Sequence, residues 1–144
     1  MLCTFRHRTH WGIFLIRVIL GVVFIAHGFQ KVFGLFGGSG LAGFMQYITS
    51  IHLPAIVGYY VPFAELIGGI LLLLGIAAEL GALLAAPVMV GAIFTVHWQH
   101  GFFSQNNGFE YPLVLLIGLV AIIIGGPGIW YVWCPCKLLN CKCK

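Results

Sequence analysis

A chain of 144 residues in which 61% are hydrophobic and 7% charged cannot present the mixed charged surface that a soluble domain of this size needs. Mean hydropathy is +1.07, and the formal net charge of +4 resides mainly at the ends, with Arg6 and Arg8 before the first apolar run and Lys137, Lys142 and Lys144 after the last. These values leave no room for a separate soluble enzyme domain, offer no nucleic-acid surface, and point to one membrane domain with the lipid bilayer as its solvent.

Residues 1–10 read as a cytoplasmic amino-terminal arm, residues 11–133 as the membrane domain and residues 134–144 as a Cys- and Lys-rich cytoplasmic tail. Four apolar runs, at residues 11–30, 54–78, 80–98 and 111–133, are long enough for a helix to cross about 30 Å of hydrocarbon. The basic start followed by an apolar run resembles a signal peptide, but the run is too long and carries Arg17 in its middle, so it is read as an uncleaved span. Between the first two runs, the Gly-rich stretch from Gly34 to Gly40 leads into residues 44–51, expected to form a short interfacial helix or a re-entrant turn. The second and third runs part only at about Ala78 and Glu79, which makes them a tight antiparallel hairpin. The expected fold is therefore all-α: an integral membrane four-helix bundle with a short interfacial or re-entrant segment between helices 1 and 2. Lys31 alone lies in the two odd-numbered loops, against five Lys or Arg on the terminal flanks, so both termini are expected to be cytoplasmic in a multi-pass inner-membrane topology. Tyr59, Tyr60, Trp98, Tyr111 and Trp133 fall near the expected helix ends, as an aromatic belt does.

Charge inside a membrane span is expensive, so the polar residues carried there mark the chemistry. Arg17, Gly21, Phe24, Gly28 and Lys31 form one stripe on the first helix, with His27 at its edge. Gly58, Pro62, Glu65 and Gly69 share a side of the second, and Glu110, Val114, Gly118, Ala121 and Gly125 a side of the fourth; these small-residue stripes are expected to face one another in the core. Depth along the helices gathers His27, Lys31, Glu65, His97 and Glu110 into a polar cluster opening outward, lined by Phe24, Phe33, Phe36 and Phe44. Arg17 is expected to reach Glu65 as a structural ion pair. The bland alternative for the cluster is that Lys31 and Glu110 pair merely to satisfy each other. His97, His100 and Glu110 have metal-ligand chemistry but match no established spacing.

The segments Gly21-Val22-Val23-Phe24-Ile25-Ala26-His27-Gly28-Phe29-Gln30-Lys31, Phe33 to Leu41, Glu65-Leu66-Ile67-Gly68-Gly69, and His97 followed by Gly101-Phe102-Phe103 and Gly108-Phe109-Glu110-Tyr111-Pro112 resemble the DoxX family of small bacterial and archaeal membrane proteins. The resemblance runs from about residue 12 to residue 128 and implies a four-helix protein of the cytoplasmic membrane. By analogy it also implies a link to quinone-linked sulfur oxidation, a terminal oxidase complex or thiol redox systems, with His27, Lys31, Glu65, His97 and Glu110 as the matching polar positions. The carboxyl end departs from the family pattern. Cys134, Cys136, Cys141 and Cys143 form two Cys-x-Cys pairs that offer a soft metal four thiolates, a redox-active thiol tail, or simply a flexible tail.

The leading expectation is thus a subunit of a quinone- or thiol-linked oxidoreductase complex, with a redox partner protein and quinone as the carrier. The alternatives are a membrane scaffold without catalysis and a small-solute transporter working as a homo-oligomer.

Overall fold

The computed structural model describes residues 2–133, so the thiols of Cys134, Cys136, Cys141 and Cys143 lie outside the described residues. Five α-helices follow one another: α1 (Leu2–Phe33), α2 (Gly40–Ser50), α3 (Ala55–Leu74), α4 (Ala78–Ala92) and α5 (Glu110–Gly125). The expected amino-terminal arm is helical from Leu2 and continues into the first span without a break. The segments Thr9–Phe33, Ala55–Leu74 and Ala78–His100 are each long and apolar enough to cross a membrane. The last of these includes a π-helical turn, Ile93–His97, and a 3-10 turn, Trp98–His100, that extend α4.

The fourth apolar run does not stay helical to Trp133. Gly126 (φ 82°), Pro127 and Gly128 (φ 77°) follow Gly125, and a left-handed residue before a proline cannot continue an α-helix. The α5 helix therefore runs for only 16 residues, and the chain beyond it folds back as a strap. Val132 and Trp133 donate to the Gly75 carbonyl and Ala77 donates to that of Trp133, so the strap clamps the α3–α4 hairpin. That hairpin forms as expected, because Gly75 adopts the left-handed conformation (φ 67°) that ends α3.

In a bilayer the helices cannot gain from the hydrophobic effect between themselves, so close backbone packing holds them together. A Cβ on Gly21 would stand 2.7 Å from the Leu73 nitrogen, one on Gly28 2.7 Å from the Leu66 Cβ, and one on Gly69 2.7 Å from the Ile25 nitrogen. These contacts lock α1 antiparallel to α3. A Cβ on Gly68 would stand 2.9 Å from the Gly81 carbonyl oxygen, so α3 and α4 join in the same way. α5 completes the ring, its Gly118 facing Leu20 of α1. Of the stripe expected to face inward on α5, Gly118 and Gly125 do pack on α1, but the stripe is not the helix's most buried face. Val114 is exposed, and Pro112, Leu115, Leu119 and Ile122 are buried instead, since a uniformly apolar helix gives no periodic signal for which side turns inward. α2 lies across α1 and α3 at the far end from the strap and buries Phe44 and Ile48.

Candidate functional site

The register of α1 against α3 decides which charges meet. Gly28 opposite Leu66 and Gly21 opposite Leu73 set Arg17 level with Ala77, twelve residues beyond Glu65 along α3. At 1.5 Å per residue that is about 18 Å, beyond the reach of an arginine side chain, so the expected Arg17–Glu65 pair does not form. Lys31, near the other end of α1, takes the carboxylate: its Nζ lies 2.5 Å from Glu65 Oε2. Glu65 is 3% exposed, and this is the ion pair that satisfies it.

Arg17 is buried at the strap end, 1% exposed, and donates through Nη2 to the carbonyls of Trp130 (2.9 Å) and Ile129 (3.4 Å), with Glu79 in electrostatic range. Trp130 packs edge-on against Trp11 and Phe14. Arg17 therefore holds the strap to α1 and belongs to no site shared with Glu65.

Between α2 and the upper halves of the other helices lies a cavity of about 550 Å³. His27, Lys31, Glu65 and His97 all line it, so four of the five residues expected to cluster do converge. Phe24 and Phe44 line it as well, whereas Phe33 and Phe36 point outward and are exposed. Lys31 Nζ stands 5.8 Å from the centre of the Phe44 ring, so the cation is held between a carboxylate and an aromatic face.

Glu110 is not part of the lining. Its carboxylate accepts from the backbone nitrogen (3.0 Å) and the hydroxyl (3.1 Å) of Ser104, tying down the loop between α4 and α5. This rules out the Lys31–Glu110 pairing as well. The loop matters to the site through Asn107, whose carbonyl stands 2.6 Å from His97 Nδ1. A carbonyl only accepts, so Nδ1 carries a hydrogen, and in the neutral ring it is Nε2 that offers a lone pair to a ligand.

Three features of the lining gave no functional signal in the sequence. Tyr111 had the appearance of a belt residue, yet it lines the cavity with its ring 6.4 Å from that of His27. Tyr60 and Tyr47 line it too. Thr95, Val96 and His97 reach it from the π-helical turn, a local widening of the helix that no residue pattern announces. Among the described residues no group of three His, Cys, Asp or Glu could hold a metal ion.

The chemistry available is that of an apolar chamber with a buried ion pair on one wall and two histidines and three tyrosines around it. Such a chamber can orient a compact polar group by hydrogen bonds and exchange protons with it.

Known proteins place this arrangement in a lineage. The chain is 38% identical over 104 residues, 72% of each chain, to a protein of Bacillus subtilis (strain 168) that bears the name "Putative oxidoreductase CatD". It is 26% identical over 131 residues, 91% of this chain and 94% of the relative, to "Inner membrane protein YqjF" of Escherichia coli (strain K12). No solved structure matches it. The DoxX family profile matches residues 12–98, which span α1 to the π-helical turn of α4 and hold His27, Lys31, Glu65 and His97, and the chain is a membrane protein belonging to that family.

Proposed function

We propose that the chain is the membrane-embedded subunit of an oxidoreductase complex and that its cavity receives the head group of a quinone-like carrier. The observation that carries this reading is the Lys31–Glu65 pair set in the wall of an otherwise apolar chamber. A quinone head needs flat apolar walls and a donor near each carbonyl oxygen; Phe24, Phe44 and Leu115 supply the walls and Lys31, Tyr111 and His27 the donors. When bound, the carrier supplies two-electron chemistry coupled to protons. His97 Nε2 and Glu65 accept or return those protons, and Lys31 stabilises negative charge on the ring oxygens. The word oxidoreductase in the name of the Bacillus subtilis relative supports the same class of chemistry. The excess of Lys and Arg on the terminal flanks supports cytoplasmic termini, which puts the cavity in the outer half of the membrane.

The test uses the full chain in lipid nanodiscs, with decylubiquinone binding followed by quenching of tryptophan fluorescence. Glu65→Gln and His97→Ala are expected to keep their helical circular dichroism and to lose at least about tenfold in affinity, the scale of one hydrogen bond to a charged group. Unchanged binding in both variants refutes the redox-site reading and leaves a membrane scaffold in its place.

A further inference from the structure

Two of the helices that line the cavity, α3 and α4, are in close backbone contact toward the strap end. α3 and α4 touch through Gly68 and Gly81, and further along Tyr60 Oη donates to the Leu84 carbonyl at 2.9 Å. Beyond that bond the cavity lies between them, lined by Val57 and Tyr60 from α3 and by Pro87, Gly91 and Thr95 from α4. Tyr60, Pro87 and Thr95 are exposed on the outside of the bundle while also facing the cavity, as is Tyr47 of α2 above them. The lining therefore reaches the lateral surface here.

The α4 edge of this gap is unusually bare. Pro87, Gly91 and Thr95 follow one another at intervals of four residues on one face, and Thr95 folds its hydroxyl back onto the Gly91 carbonyl at 2.8 Å. Gly91 presents no side chain, and a Cβ built there would meet nothing within 4 Å, so its absence is not needed for packing. No residue of the α4–α5 loop lines the cavity, and the residues of the gap belong to the apolar segments Ala55–Leu74 and Ala78–His100, whose outward faces suit contact with lipid.

We infer that the cavity is loaded sideways from the bilayer through the gap between α3 and α4, and that its ligand is a membrane-dissolved amphiphile. The compact polar head passes Tyr60 and Gly91 to reach Lys31 and Glu65, and the apolar body stays in the lipid. A volume of about 550 Å³ accommodates a ring and its substituents but not a long chain in addition, which gives the opening its purpose. The part concerning Lys31 and Glu65 rests on the head-group reading above; the entry route rests on the gap alone.

The experiment places a thiol at the far wall. Leu115, on α5, is 7% exposed and lines the cavity, so Leu115→Cys places the introduced thiol in its wall. The full-length variant in nanodiscs is treated either with a bilayer-partitioning maleimide or with a charged, water-soluble one. Modification is read at each peptide by mass spectrometry, which separates it from the native cysteines. Ile124→Cys, on the exposed face of α5, calibrates each reagent in lipid. Relative to that calibration, the lipid-soluble reagent is expected to modify position 115 about 50-fold faster than the charged one, because charge is excluded from hydrocarbon. Adding Gly91→Phe, which fills the gap without a clash at its Cβ, should slow that reaction at least about tenfold at position 115 and leave position 124 unchanged. Equal access for the charged reagent, or no effect of Gly91→Phe, overturns lateral entry. Decylubiquinone binding is measured separately, so the labelling pattern without quinone binding sinks the quinone and keeps the route, and the reverse outcome does the opposite.

Discussion

Lys31 and Glu65 are close enough to be read either as glue or as a site, and a pair of substitutions separates the two. The side chains are 23% and 4% exposed, so Glu65 is almost entirely out of solvent while Lys31 keeps some contact with it. Lys31→Met removes the cation and leaves a buried carboxylate without its partner. Breaking a buried pair in this way costs about 3 to 5 kcal/mol, and the remaining exposure of Lys31 places the expected loss at the lower end, about 3 kcal/mol. Lys31→Met combined with Glu65→Leu removes both charges and restores an apolar contact between α1 and α3. Such a replacement is commonly neutral or stabilising, so the double variant should return to within about 1 kcal/mol of the parent, well below the sum of the Lys31→Met and Glu65→Leu losses taken singly. Unfolding in mixed detergent micelles, followed by tryptophan fluorescence, measures all three. Quinone affinity is then measured on the double variant, which is expected to fold and yet not bind. Losses that simply add would refute the claim that the pair is a desolvated unit, and a stable double variant with parental binding would refute its role as the site.

Three further outcomes follow from the packing. Gly21→Ala or Gly28→Ala drives a methyl into α3 at 2.7 Å and should destabilise the bundle by about 1 to 3 kcal/mol, whereas Gly91→Ala should be neutral or slightly stabilising; equal effects in detergent unfolding would contradict the assigned contacts. Arg17→Met deletes the bonds to Ile129 and Trp130 and should free the strap, read as faster hydrogen exchange at the Val132 and Trp133 amides, with protection elsewhere retained. With both termini cytoplasmic, Ser104→Cys, in the exposed α4–α5 loop, should react with an impermeant thiol reagent added outside intact cells, and protection from that side with reaction from the inside would reverse the topology.

Much of this architecture is legible in the sequence because bilayer thickness and helix rise leave few choices for long apolar runs. The stripe Arg17, Gly21, Phe24, Gly28 and Lys31 is legible for the same reason: cations and glycines on one face of a lipid-embedded helix have to turn inward, and all but the half-buried Lys31 are fully buried. Partners were harder to read. Whether Glu65 meets Arg17 or Lys31 depends on an antiparallel register fixed by three glycine contacts, and no charge count contains it. The end of α5 was mistaken because hydrophobicity continues past Gly125 while backbone conformation does not. Glu110 lies at the expected depth but is turned to its own loop, since the nearby Ser104 offers its carboxylate two donors.

The placement of the charges follows from what each end of the bundle has to do. At the strap end glycine contacts bring α3 against α1 and α4, and Arg17 closes the junction by holding backbone carbonyls, which neither titrate nor leave. A rigid end of this kind lets the other end open, because helices fixed at one terminus can diverge at the other without losing their register. At that other end the packing gives way to the cavity between α3, α4 and α2, the helix α4 widens into a π-helical turn, and the groups facing the space include a carboxylate, an amine, two imidazoles and three phenols. All of these can donate or accept a proton, whereas the guanidinium of Arg17 cannot give its proton up. The permanently charged group thus serves cohesion and the exchangeable ones face the cavity, a division in keeping with the proposed redox role.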